Sequence, residues 1–260
     1  MRKIVFFVVA ICAIVNAANA NAQTWGDLSL KFVLDGAAPA SKPLTINKDQ
    51  QVCGKEKLVD ETLAFGPGGG IGNVFVYLRP AVGKKVAIHP DLEKMKGTEV
   101  VLDNKGCRFE PHVAVLWTAQ TLVLKNSDPI GHNTKIDVLD NPPVNPIIPA
   151  GGLLKQSFKK EERLPASVSC SIHPWMQSKL LVRDNPYAAV SDASGSVTIP
   201  KLPAGEWQFQ IWHEGAGFIQ EVKDGAGKTV KWSKGRADFT IKAGANNLGT
   251  FKVALKTLSK

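Results

Sequence analysis

Apolar and polar residues alternate with a period of two along much of the chain. Residues 28–34 read Leu-Ser-Leu-Lys-Phe-Val-Leu, and comparable alternating or β-branched runs occupy 73–78, 112–117, 121–125, 167–170, 179–183, 197–199 and 208–213. Gly, Pro, Asn and Asp separate these runs. A period of two bounded by turn-forming residues predicts short β-strands whose alternate side chains face a core. Helical periodicity is nearly absent, and one short helix is predicted over 91–96. Many short strands at this spacing predict an all-β protein built of sandwiches. The stretch Gly66-Pro67-Gly68-Gly69-Gly70-Ile71-Gly72 lacks the Lys-Ser/Thr of a phosphate-binding loop and precedes a strand instead of a helix, so it reads as a flexible loop.

Length and texture divide the chain. At 260 residues it accommodates two β-domains. After Pro186-Tyr187 the pattern changes to a turn at Asp192-Ala193-Ser194-Gly195, a short strand, and Leu202-Pro203-Ala204-Gly205 before a further strand. The expected organisation is a leader over 1–22, an N-terminal β segment over 23–98 that can belong to the C-terminal sandwich, a central sandwich over 99–185 and a smaller C-terminal one over 186–260.

The leader follows from the first residues. Met1-Arg2-Lys3 precedes twelve apolar residues from Ile4 to Val15, and small residues lead to Ala20-Asn21-Ala22. This is the pattern of a cleaved secretory signal, and the run is too short to span a bilayer. A lipid anchor on Cys12 is disfavoured by the bulky Ile11 before it. A periplasmic or secreted protein without a membrane span is expected. Loss of Arg2 and Lys3 takes the formal net charge from +9 to +7. The lysines are scattered, with no basic stripe interleaved with aromatics, so a solvated basic surface is expected and nucleic-acid binding is not.

The cysteines narrow the chemistry. Without Cys12 three remain, Cys53, Cys107 and Cys170, and an oxidising compartment would pair two of them. Cys170-Ser171-Ile172-His173-Pro174-Trp175-Met176 sets a thiol, an imidazole and a thioether within seven residues, and His132-Asn133 lies 38 residues before the cysteine. Two histidines, one thiolate and a weak axial methionine form the type 1 copper ligand set. Soft sulfur ligands favour copper over zinc, which seldom takes a thioether. The candidate metal ligands are therefore His132, Cys170, His173 and Met176, with one copper ion as cofactor. Cys53 and Cys107 are left to pair as a disulfide. Of the other histidines, His89, His112 and His213, the pair His213-Glu214 offers a second metal site, against which packing or surface roles are favoured.

The ligand loop resembles that of the cupredoxins, most closely the amicyanins, in its Cys-x-x-His-x-x-Met spacing with proline after the histidine and an aromatic before the methionine. The resemblance covers about residues 100 to 184. It implies a Greek-key sandwich with copper buried at one end, His173 near the surface as the electron exit, and Asn133 bonding the two ligand loops together. Two features depart from it: Val168-Ser169 stands where an aromatic is common, and residues 137–152 form a long, proline-rich loop. Trp175 reads either as part of an apolar patch around the exit histidine or as a packing residue. Residues 191–207 resemble the carboxypeptidase-regulatory-like sandwich, and 28–34 and 73–78 resemble that module's opening strands, which implies that the copper domain is inserted into it. Together the parts resemble secreted planctomycete proteins labelled methylamine-utilisation proteins.

These features predict a one-electron carrier, not an enzyme, with redox partners such as a dehydrogenase or a c-type cytochrome. The alternatives are a copper-storage or copper-delivery protein and a metal-free structural or adhesion module. The five histidines supply no His-x-His motif for a multicopper oxidase, no Cys-x-x-Cys-His haem motif occurs, and no Ser/His/Asp or paired-carboxylate arrangement supports hydrolysis.

Overall fold

A computed structural model describes residues 23–259. The expected leader over 1–22 lies outside the described residues. The chain is all-β, in two sandwiches.

The first sandwich is built from both ends of the chain. One of its sheets runs in the order Ser196–Pro203, Trp25–Asp35, Gly244–Ala254, Glu221–Lys223, Thr229–Lys231. The other runs Ala188–Val190, Phe75–Leu78, Gly205–His213, Gly217–Phe218, with Arg236–Ile241 also paired to Gly205–His213. The alternation in Trp25–Asp35 sends Leu28, Leu30, Phe32 and Leu34 inward to meet Val76, Leu78, Phe209 and Ile211 in one core. That strand lies between an antiparallel neighbour, pairing Leu30 with Val197, and a parallel one, pairing Phe32 with Phe251. The segments before and after the central region thus share one hydrophobic core.

The second sandwich takes the central region. One sheet runs Leu153–Gln156, Thr121–Asn126, Glu99–Asn104, Phe109–Glu110, and the other runs Val113–Trp117, Gln177–Arg183, Ala166–Ser169, Lys135–Asp137. Leu102, Phe109, Leu116, Leu122, Leu124, Phe158, Val168, Leu180 and Val182 fill the space between them. His132–Asn133 forms a separate two-stranded ribbon with Ile147–Ile148 at one end.

The two sandwiches meet through Phe75, Tyr77, Val113, Leu181 and Trp212. Phe75–Leu78 is therefore buried on both faces, which is why its sequence is apolar throughout instead of alternating. Arg183, 4% exposed, crosses this junction by donating to the carbonyls of Glu162 and Leu78 and pairing with Glu161 at 2.8 Å.

Local expectations shift at several points. The short helix spans Pro90–Glu93, capped by His89, whose Nδ1 accepts from the Asp91 N–H at 3.0 Å. The glycine-rich stretch is a turn around Pro67–Gly69 packed on the loop at Ala193 and Ser194, where a Cβ on Gly66 would sit 2.0 Å from the Ala193 carbonyl oxygen. Its glycines serve close approach of two backbones. Cys53 and Cys107, both fully buried, are joined by a disulfide with a Cα–Cα separation of 5.4 Å.

Candidate metal centre

The loop after Thr121–Asn126 is organised by Asn126. Its buried Nδ2 donates to the carbonyls of Ile130, Ile148 and Pro149, and its Oδ1 accepts from the Asp128 N–H at 3.0 Å. This asparagine-initiated turn delivers His132 to the interior, fully buried. Asp128 stands four residues before it, with Oδ2 2.9 Å from His132 Nε2. Asp128 also accepts from the backbone N–H groups of Gly106 at 2.6 Å and Cys107 at 2.9 Å. Burial works against its charge, but these bonds outweigh that and hold its carboxyl below the usual range.

The other candidate ligands leave the end of Ala166–Ser169. The Cys170 N–H donates to the Met176 carbonyl at 3.2 Å, and the Met176 N–H donates to the His173 carbonyl at 2.9 Å, closing the loop on itself. Cys170 and Met176 are each 1% exposed and belong to the same apolar cluster. Asn133 joins the two loops. Its Oδ1 accepts from the Ser171 N–H at 2.8 Å and the Ile172 N–H at 3.3 Å, and its Nδ2 donates to Asn145 Oδ1 at 2.7 Å.

Three donor atoms converge. Cys170 Sγ lies 3.9 Å from His132 Nδ1 and 3.8 Å from His173 Nδ1, and the two Nδ1 atoms are 2.9 Å apart. A metal bound at ordinary lengths, about 2.0 Å to nitrogen and 2.3 Å to sulfur, would set sides of about 3.7 Å and 3.5 Å in a trigonal plane. Two sides already match, and the third needs the imidazoles to part by about half an ångström. Each outer ring nitrogen meets a carboxylate: Asp128 on His132, and Asp49 on His173 at 2.7 Å. These partners favour a proton on Nε2 and turn Nδ1 toward the site, where a bound metal would displace the proton that the two Nδ1 atoms share.

The electrostatics suit a thiolate ligand. Burial opposes ionisation of Cys170, yet hydrogen bonds from His132 and His173 and at Asn133 overcome it and bring the thiol down to about 6. Burial likewise opposes charge on His132, but Asp128 and Cys170 hold it up at about 9. The surroundings thus favour the thiolate, and the proton they favour on His132 is one that metal binding would release.

One expectation is overturned. His173 does not open onto the surface as an exit but is fully buried, because the N-terminal segment carrying Cys53 and the half-exposed Asp49 lies over its outer edge. Trp175 packs on the same ring at 5.1 Å between centroids and donates Nε1–H to the Cys107 carbonyl at 3.1 Å, the packing role. Sequence reading missed Asp128 and Asp49. Asp128 carried a signal, an acid four residues from a candidate ligand in the same loop. Asp49 is 124 residues from His173 and carried none.

The remaining histidines are engaged elsewhere. His112 Nε2 pairs with Glu214 Oε2 at 2.7 Å, and Lys179 reaches the same carboxylate at 3.3 Å. His213 is fully buried, its Nδ1 accepting from the Gly215 N–H. Among the described residues, three donors converge in the group His132, Cys170, His173 and in Cys107, Asp128, His132, the sulfur of Cys107 being spent in the disulfide. His213 and Glu214 form no such group.

No protein-family model and no curated protein matches the sequence. Among solved structures the chain is similar to a Cu(I) form of an amicyanin variant, at 16% identity over 33% of this chain and 82% of the other, with a TM-score of 0.30. It is similar to a purple cupredoxin from Nitrosopumilus maritimus at 19% identity over 33% of this chain and 98% of that one, with a TM-score of 0.27. A copper-containing nitrite reductase from Thermus scotoductus SA-01 matches at 25% identity over 40% of this chain, with a TM-score of 0.30, and the match spans only 24% of the reductase.

Proposed function

We propose that this protein is a type 1 copper protein of the cupredoxin kind that carries single electrons, with the metal held by His132, Cys170, His173 and Met176. The observation that carries the reading is the buried triangle of one sulfur and two Nδ1 atoms, each imidazole anchored from behind by a carboxylate. When bound, copper supplies a one-electron couple between Cu(I) and Cu(II). The chain's part is to hold ligands that suit both states in one arrangement. Cys170 offers the thiolate, Asn133 ties its loop to that of His132, and the apolar cluster around Met176 excludes water.

Full burial of His132 and His173 favours retention of the metal over delivery to another protein. The buried Cys53–Cys107 disulfide supports an oxidising compartment, periplasmic or extracellular. No described helix is long and apolar enough to cross a membrane. Redox proteins such as a dehydrogenase or a c-type cytochrome are the partners this reading implies.

The test is the visible spectrum of the Cu(II)-loaded protein beside that of Cys170→Ser, followed by voltammetry. An intense thiolate-to-copper band that vanishes in the variant, with a reversible one-electron wave, is expected. A colourless protein that binds no copper would overturn the reading, and exchangeable copper without a wave would favour storage or delivery.

A further inference from the structure

The N-terminal segment approaches the metal centre from outside the sandwich that contains the ligands. Asp49 begins a turn into the short helix Cys53–Lys55, and its carbonyl accepts the N–H groups of Val52 at 2.9 Å and Cys53 at 2.8 Å. Its φ of 48° is left-handed, a conformation that aspartate tolerates better than most residues and that persists where surrounding structure enforces it. The turn aims the carboxylate at His173, whose side chain is 0% exposed while that of Asp49 remains 40% exposed. Asp49 thus stands between the buried Nε2 edge of the ring and solvent.

The disulfide ties this contact to the other histidine. Cys53 bonds to Cys107, and the Cys107 N–H donates to Asp128 Oδ2, the oxygen that faces His132 Nε2. The outer supports of both imidazoles are therefore joined through one covalent link. Asp128 belongs to the ligand sandwich itself; Asp49 is brought in by a segment that precedes it in the chain.

We propose that Asp49 is a positioning residue for the metal centre, clamping His173 with its Nε2 proton outward and its Nδ1 lone pair inward. This rests on the reading of His132, Cys170 and His173 as copper ligands. An imidazole that donates to a carboxylate is fixed in tautomer and ring orientation and becomes a more basic ligand. The negative charge beside it favours the more highly charged state of the metal, so Asp49 holds the reduction potential down. Covering the ring edge also slows the entry of competing ligands.

The experiment compares the wild-type full-length mature protein with Asp49→Asn and Asp49→Ala in three measurements. Side-chain 15N NMR of His173 in the copper-free protein reads the tautomer, transfer of Cu(I) to an excess of chelator reads metal release, and voltammetry reads the potential. The wild type is expected to hold the Nε2-protonated tautomer. Asp49→Ala should show a mixed tautomer and metal release faster by roughly 10- to 100-fold. Asp49→Asn keeps an acceptor oxygen without the charge, so it should restore the tautomer while the potential stays above that of the wild type. A folded Asp49→Ala with wild-type tautomer, release and potential overturns the inference. If that variant does not fold, an unchanged potential in Asp49→Asn overturns it. Failure of the copper reading is distinguishable, since the wild type would then show no thiolate band while the copper-free tautomer comparison still decides the role of Asp49.

Discussion

Asn133→Ala tests whether one side chain holds the two ligand loops together. Asn133 is 4% exposed and makes three well-formed bonds: it accepts from the Ser171 and Ile172 N–H groups and donates to Asn145 Oδ1. Each such bond contributes about 0.5–1.5 kcal/mol net, so losing three costs about 2–4 kcal/mol. The upper part of that range applies where water cannot reach the released Ser171 N–H, which sits beside the buried Cys170. Against a typical domain stability of about 5–15 kcal/mol the loss is large. Amide hydrogen exchange at Val168 and Leu180, fully buried in the core strands of that sandwich, reads the free energy of its opening in the copper-free protein. Protection there should fall by roughly 30- to 1000-fold, the equivalent of that range. A fall of less than about 0.5 kcal/mol would refute the reasoning, because it would mean that the loops are held by their own backbone bonds and the asparagine adds nothing.

Two further outcomes concern the first sandwich. Burial, partly offset by the Glu214 charge, pushes His213 down to about 4, below its unfolded value of about 6.5, so unfolding takes up a proton between these pH values. Its contribution is present above pH 6.5 and lost as pH falls towards 4, about 3 kcal/mol in all. Urea midpoints at pH 7, 5.5 and 4 should therefore slope less steeply in His213→Gln, and equal slopes would exclude His213 as the source. Gly195→Ala places a Cβ 1.9 Å from the Phe32 carbonyl oxygen at a backbone φ of +83°. A loss of about 3 kcal/mol is expected by urea unfolding, and a stability within 0.5 kcal/mol of wild type would show that the two strands separate freely there.

Sequence alone specified what depends on neighbours in the chain. The alternation in Trp25–Asp35 follows from the two-residue period of a strand, and the same rule places Leu28, Leu30, Phe32 and Leu34 in a core. The spacing of Cys170, His173 and Met176 is legible because one tight loop holds all three, and the cysteine count left Cys53 and Cys107 to pair. Strands such as Glu99–Asn104 and Gly244–Ala254 escaped because their polar residues and glycines blur the period; their parallel neighbours secure them.

Local pattern did not decide which distant elements meet: a resemblance implied that residues 28–34 join the C-terminal module, and tertiary structure fixed their neighbours and register. The N-terminal strand lies between two strands from the far end of the chain because its apolar face is covered by a core that no local pattern defines. The same holds at the metal centre. Loop residues separated by 38 positions could be matched by ligand type, but the burial of His173 under Asp49 depends on how the N-terminal segment packs and on the disulfide that ties it down. Side-chain period and ligand chemistry are properties of short segments, whereas burial and long-range hydrogen bonds depend on the free energy of the whole packed chain.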